Sequence, residues 1–229
     1  MGIVGIGILG GTFNPIHRGH LHLAKSVQAL FELSKVYFVV SPVPPHKQAE
    51  SMIPFEHRYA MTSLAVEKEL SFIPSLVEIE PNPSPYTIDT MDKLTRIEEP
   101  NRLFFIAGGD SLLEIASWRE SERLLAEYNF IFVTRPWDGP IDAEKCLPSD
   151  AFKRVCDLTG LDRRQTRKKI AGESKEEKRI YIVNAKAPDI SSTRIRALLA
   201  AKGGDHAVRR MLPPAVRGYI RKLRLYGGK

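Results

Sequence analysis

Gly10-Gly11-Thr12-Phe13-Asn14-Pro15-Ile16-His17-Arg18-Gly19-His20-Leu21 is the stretch on which the reading of this 229-residue chain turns. An apolar run, Ile3 to Leu9, precedes it and reads as a short buried strand. Leu21 to Leu33 follows with helical spacing, shown by Leu21, Ala24, Val27, Gln28 and Phe31. Two glycines therefore sit where a strand ends, and two histidines sit where a helix begins. Glycine lets backbone N–H groups approach an anion closely. A helix start adds unpaired donors and about half a positive charge. Imidazoles three apart on a first turn point the same way and can donate to one anionic oxygen. The block is suited to hold a phosphate and to stabilise it as it reacts.

Other readings of the same residues fit less well. Gly5, Gly7 and Gly10 spell G-x-G-x-x-G, but the context is wrong for a dinucleotide fingerprint. The first two glycines lie inside the apolar strand, and Asn14-Pro15 interrupts the place where the helix should open. The next strand, Val36 to Val40, runs into Ser41-Pro42 with no acidic residue to hold a ribose. No G-x-x-x-x-G-K-[ST] loop occurs. His17, His20 and His22 lack the glutamate of H-E-x-x-H, and no nearby cysteine or carboxylate completes a zinc tetrahedron. A glycine turn with capping histidines and no chemistry is the plain alternative.

Composition sets the frame. The length suits one domain with a full core, and 43% apolar with 27% charged residues is ordinary for a globular protein. The apolar beginning has no basic leader or cleavage site, so a strand is expected there and no signal peptide. No run of 18 apolar residues exists, so no membrane span is expected. Cys146 and Cys156 are too few for a disulfide framework or a metal cluster. They read as free thiols of a reducing cytoplasm. The net charge of +7 favours anionic partners, and it suits nucleic acid equally. Much of the excess lies between Arg163 and Arg179, with eight Lys or Arg against three Glu. No aromatic residues interleave there to stack bases, so a solvated helix and loop is expected and no nucleic-acid partner.

Apolar runs of strand length alternate with helical patterns. Strands are expected at Ile3–Leu9, Val36–Val40, Ser75–Ile79, Leu103–Ala107, Phe130–Thr134 and Arg179–Val183. Helices are expected at Leu21–Leu33, Pro54–Leu70, Thr87–Arg96, Ser111–Trp118, Glu120–Glu127, Ser149–Thr159, Ser192–Ala201 and Pro214–Leu225. This alternation predicts an α/β fold: a Rossmann-like, doubly wound parallel sheet with helices on both faces, in a single domain. Ligands in such sheets bind beyond the carboxyl ends of the strands, so the residues after each strand are the ones to inspect.

Five further segments stand there. Pro42-Val43-Pro44-Pro45-His46-Lys47 is a loop stiffened by proline. Ser84-Pro85-Tyr86-Thr87-Ile88-Asp89-Thr90 opens a helix that Thr87 or Asp89 can cap. Gly108-Gly109-Asp110 is a second glycine turn, now with a carboxylate that can accept ribose hydroxyls or cap a helix. Arg135-Pro136 follows the fifth strand. Ile190-Ser191-Ser192-Thr193-Arg194-Ile195-Arg196 gathers three hydroxyls and two arginines at one helix start. One hydroxyl is enough for a cap, and the surplus suits a polyphosphate.

The first block, with His17-Arg18-Gly19-His20 at its core, resembles the H-x-G-H signature of the nucleotidyltransferase superfamily. Its longer form is similar to that of the bacterial nicotinate mononucleotide adenylyltransferases. Ile190–Arg196 resembles the superfamily's second motif, which grips the β- and γ-phosphates of ATP. The matches run in order from residue 10 to the Val216–Ile220 helix, and residues 138–178 match least. The resemblance implies adenylyl transfer from ATP to nicotinate mononucleotide, with nicotinamide mononucleotide or another phosphate-bearing acceptor as the alternative. A non-catalytic, basic RNA-binding protein is the alternative of a different class.

The resemblance also implies roles. His20 and His17 would act on the reacting phosphates with Arg196. Gly10, Gly11, Thr12, Phe13, Gly108, Asp110, Arg135, Ile190, Ser192 and Thr193 would complete the ATP site. Asn14, Lys47, Tyr86, Thr87 and Trp118 would hold the mononucleotide. Arg58 and Met61 match a family pair of structural or binding character. Mg²⁺ would arrive on ATP, with no metal cage of protein ligands. Oligomeric state stays open, a homo-oligomer included.

Overall fold

The computed structural model describes residues 5–42, 52–79, 83–99, 103–134, 141–173, 177–184, 188–201 and 203–227. Its strands are β1 (Ile6–Gly11), β2 (Lys35–Val40), β3 (Phe72–Ser75), β4 (Leu103–Gly108), β5 (Asn129–Thr134), β6 (Val155–Asp157) and β7 (Ile180–Asn184). They form one sheet in the order β3-β2-β1-β4-β5-β7-β6. Every pairing is parallel.

Side-chain alternation builds a core on each face. Val36, Phe38 and Val40 of β2, with Ile131 and Val133 of β5 and Tyr181 and Val183 of β7, point to one face. There they meet α1 (Arg18–Phe31), α2 (Phe55–Val66), α9 (Ser192–Ala200) and α11 (Pro214–Leu223) through Leu23, Val27, Met61, Ile195 and Val216. Ile6, Ile8, Phe105, Phe130 and Phe132 point to the other face. They meet α3 (Thr87–Leu94), α4 (Gly109–Glu114) and α5 (Ser121–Glu127) through Met91, Leu112 and Leu124. This is the doubly wound arrangement expected. Gly7 belongs to its packing: a Cβ there would stand 2.8 Å from Ile106 Cδ1 and 3.0 Å from Leu33 Cδ1. That glycine lets a helix end close onto the strand, which gives the fortuitous G-x-G-x-x-G a structural cause.

The order reverses between β1 and β4. From β1 the chain crosses by α1 to β2 on one side. From β4 it crosses by α4 to β5 on the other. The crevice at the carboxyl ends of β1 and β4 is the switch point of the sheet.

Several boundaries differ from the expectation. The helix placed at Ser149–Thr159 ends at Phe152 as the short α7, and Val155–Asp157 becomes the edge strand β6. Pairing with β7 decides that segment, with Val155 beside Ile180 and Asp157 beside Ile182. The third strand lies at Phe72–Ser75 and not at Ser75–Ile79. It includes Pro74, which an edge strand tolerates because one side needs no donor. Helix α2 stops at Val66, and Leu70 is fully exposed. Short helices α6 (Ala143–Cys146) and α10 (Gly204–Ala207) carry no strong sequence signal. The basic stretch forms α8 (Arg163–Gly172), opened by a capping box between Asp162 and Gln165. Arg167 donates to the Ala29 carbonyl near the end of α1 at 2.7 Å. Arg179 is paired with Glu173 and Glu177. Two of its cations thus serve structure. Among the described residues no helix is long and apolar enough to cross a membrane, and both cysteines are free thiols.

Candidate active site

Strand β1 delivers the site loop. Phe13, with φ 47°, turns the chain sharply after Thr12, and its ring is buried against Phe38. The Phe13 ring also meets the His20 ring edge-on, with centroids 5.0 Å apart. His17 is the N-cap of α1. Its ring stacks on that of His20 at 3.7 Å with an interplanar angle of 22°. The His17 main-chain N–H donates to His20 Nδ1 at 3.2 Å. A ring nitrogen that accepts carries no proton, so neutral His20 holds its proton on Nε2. Gly19 makes the stack possible: a Cβ there would stand 2.9 Å from His17 Nδ1. The glycine between the histidines thus has a packing reason as well as a place in a motif.

The second motif docks directly onto this loop. Ser191 caps α9 by accepting from the Arg194 N–H at 3.2 Å. Ser192 Oγ donates to the Pro15 carbonyl at 2.9 Å. Arg196 Nη1 donates to the Asn14 carbonyl at 2.9 Å, and its Nη2 donates to Thr193 Oγ1 at 3.3 Å. The Ile190 carbonyl lies 3.6 Å from a Cβ placed on Gly19. Asn14, Ser192, Thr193, Arg196, Ile190 and the histidine pair therefore form one cluster. Ser192 is held to the loop, so its stitching role is visible in the structure itself.

Gly108-Gly109-Asp110 stands at the neighbouring strand end. Gly108 is the N-cap of α4, and Asp110 lies in the first turn without capping it. The Asp110 carboxylate folds back over Gly108, its Oδ1 2.3 Å from where a Cβ would be. The capping alternative for Asp110 is thereby removed.

Tyr86, Thr87 and Trp118 lie on the second face. Tyr86 is the N-cap of α3 with no side-chain cap, so neither Thr87 nor Asp89 caps it. Asp89 is engaged by the Ser84 hydroxyl and by Arg119 at 3.3 Å. Trp118 packs edge-on against Phe105 at 5.9 Å. Arg119, which the sequence did not single out, lies over the Tyr86 ring at 4.8 Å and joins the two segments. Its only signal is adjacency to Trp118. Lys47 and Arg135 lie outside the described residues.

Two buried charges support the site from below. Arg58 is fully buried and donates to the carbonyls of Thr12, Ser41, Pro42 and Ile53 at 2.6–3.1 Å. It staples the ends of β1 and β2 together, which assigns it a structural role. Glu78 is 7% exposed, and Thr90 Oγ1 lies 2.9 Å from its Oε1. Burial pushes its carboxyl pKa up, against the opposing pull of Thr90, Ser41 and Lys93.

Comparison with known proteins places this geometry. Residues 8–198 match the model of the cytidylyltransferase-like family. A protein of Geotalea daltonii named "Probable nicotinate-nucleotide adenylyltransferase" is 35% identical over 221 residues, covering 96% of this chain and 97% of that one. One of Thermoanaerobacter sp. with the same name is 36% identical, covering 96% of this chain and 93% of that one. A solved structure of the Plasmodium falciparum nicotinic acid mononucleotide adenylyltransferase complexed with NaAD superposes with a TM-score of 0.68 at 21% identity, covering 97% of each chain. Another structure of that enzyme, complexed with APC, gives 0.65 at 22% identity, again with 97% of each chain covered. The chain belongs to the cytidylyltransferase-like family and, within it, to the nicotinate-nucleotide adenylyltransferases.

Proposed function

We propose that this protein transfers the adenylyl group of ATP to nicotinate mononucleotide, giving deamido-NAD and pyrophosphate. The observation that carries the reading is the stacked His17–His20 pair at the start of α1, with the Ile190–Arg196 helix start tied to the same loop. It joins two donor sets that a triphosphate can span. The names of the relatives over nearly the whole chain support the acceptor.

A phosphate monoester has its second pKa near 6, so the acceptor attacks as a dianion and needs no general base. A bond forms between its oxygen and the α-phosphorus, and the bond to the β-phosphate oxygen breaks. What the protein supplies is alignment of two anions and stabilisation of the charge that develops. His20, through Nε2–H, faces the α-phosphate, and His17 the adjoining oxygens. Arg196, Thr193 and the main chain after Ser191 hold the departing pyrophosphate. Asp110 accepts from the ribose. Asn14, Tyr86, Thr87 and Trp118, with Lys47, hold the mononucleotide. The side chains around the phosphates are cations and neutral donors. That set fits a Mg²⁺ held through phosphate oxygens and water, which neutralises triphosphate charge when bound.

The test is pyrophosphate release from Mg·ATP in three parallel reactions: with nicotinate mononucleotide, with nicotinamide mononucleotide, and with no acceptor. Strong preference for the nicotinate form is the expected result. Equal rates with both acceptors keep the chemistry and replace the specificity. No release in any reaction overturns the reading.

A further inference from the structure

Asn14 is held from two directions. Arg196 takes its main-chain carbonyl. Tyr226, 212 positions later, donates its hydroxyl hydrogen to Asn14 Oδ1 at 2.7 Å. Asn14 is 6% exposed, so this amide has little water to substitute for a lost partner.

The chain goes out of its way to place that hydroxyl. After α11, Arg224 has φ 52° and Tyr226 has φ 61°. Two non-glycine residues in the left-handed region within three positions are unusual, above all for a bulky aromatic at the second. Leu225 N–H bonds back to the Ile220 carbonyl at 3.0 Å. The turn folds the segment back onto the core, where Leu225 and Tyr226 pack, partly buried, against the cluster that holds Val216 and Ile220. Burial raises the Tyr226 phenol pKa, so the hydroxyl keeps its proton, although Arg58 and Arg196 lie close enough to pull the other way.

An asparagine oxygen only accepts, and its NH₂ only donates. While Oδ1 accepts the phenol hydrogen, the NH₂ lies on the other side of the amide. A flipped amide would turn an oxygen toward whatever the NH₂ now faces. For a dianionic acceptor that reversal matters, because a donor becomes a repelling dipole. We propose that Tyr226 is a positioning residue: it locks the Asn14 amide with its NH₂ presented to the acceptor's phosphate. The inference rests on the reading of Asn14 as a mononucleotide contact. None of the motifs named above contains Tyr226; the turn and the bond to Asn14 single it out.

The experiment is steady-state pyrophosphate release by the full-length chain and by Tyr226→Phe, Asn14→Ala and the double variant, with melting temperatures measured alongside. Phenylalanine keeps the packing and removes only the donor. Tyr226→Phe should raise KM for nicotinate mononucleotide about tenfold, with KM for ATP changed less than about twofold. Its melting temperature should stay within about 2–3 °C of the parent. The double variant should equal Asn14→Ala, because Tyr226 acts through Asn14. Effects that multiply, equal changes in both KM values, or no change with Tyr226→Phe overturn the proposal. A parent protein inactive with nicotinate mononucleotide overturns the acceptor reading, and this inference with it. A parent that is active beside an unchanged Tyr226→Phe overturns this inference alone.

Discussion

Gly19 stands between the two histidines because nothing larger fits beside the His17 ring. The resulting stack and the bond to His20 Nδ1 fix which nitrogen of His20 donates. Such a donor matters only when charge grows on the phosphate, so His20→Ala should lower kcat by about 10²–10³ while leaving both KM values nearly unchanged. Steady-state kinetics in both substrates check this, and a change confined to KM would refute the transition-state role. Glu78 makes a different claim. Its folded pKa lies above the ordinary 4.5 because it is buried, so the folded state keeps the proton longer than the unfolded one. Stability from this group is intact below about pH 4.5 and is lost as pH rises through the folded value. Glu78→Gln cannot ionise, so it should be more stable than the parent at pH 8, with the gap closing toward pH 4.5. The gap grows by at most about 1.4 kcal/mol per pH unit. Thermal melts across that range decide it. The histidine pair was legible because spacing alone orients two rings on one turn. Glu78 and Tyr226 were not, since a lone glutamate or a terminal tyrosine becomes special only when the fold buries it.

At the scale of elements, α9 separates two adjacent serines. Ser191 caps the helix and Ser192 ties it to Pro15. Ser191→Ala should cost about 1 kcal/mol of stability with little kinetic effect. Ser192→Ala should lower kcat/KM for ATP about tenfold with little loss of stability, since one part-buried tie aligns two halves of the site. Melts and kinetics on the same two variants separate the roles, and a reversal of the pattern would exchange them. Sequence alone shows three hydroxyls at a helix start and not which one turns inward. The same limit explains the boundaries. Strands β1, β2, β4, β5 and β7 announce themselves through apolar runs. The segment Val155–Asp157 has too few residues for any period, and only its partner β7 makes it a strand. Pro74 masks β3 for the converse reason, because a proline counts against a strand until the strand is known to be an edge. The cap expected at Thr87 or Asp89 fails because both residues lie inside the helix, one and three positions past the true cap Tyr86.

For the whole molecule, the alternation of elements sufficed to predict a parallel sheet covered on both faces, because crossover connections leave few other ways to bury such runs. The order of the strands was not readable. Parallel partners can be far apart in sequence, and no local pattern records which strand is central. That order has a consequence for the making of the protein. Ile6 pairs with Leu103 across the middle of the sheet, a gap of 97 positions (103 − 6) and the widest among the pairings of the described strands. The pairing of Ile6 with Lys35 is available much sooner. At about 5–20 residues per second, a nascent chain carries β1 for roughly 5–20 s before its second edge is paired. Among the described strands, the one that leads into the phosphate loop thus waits longest for its second neighbour as the chain leaves the ribosome. Its glycine-rich, side-chain-poor sequence presents less apolar surface during that wait than a valine or isoleucine run would.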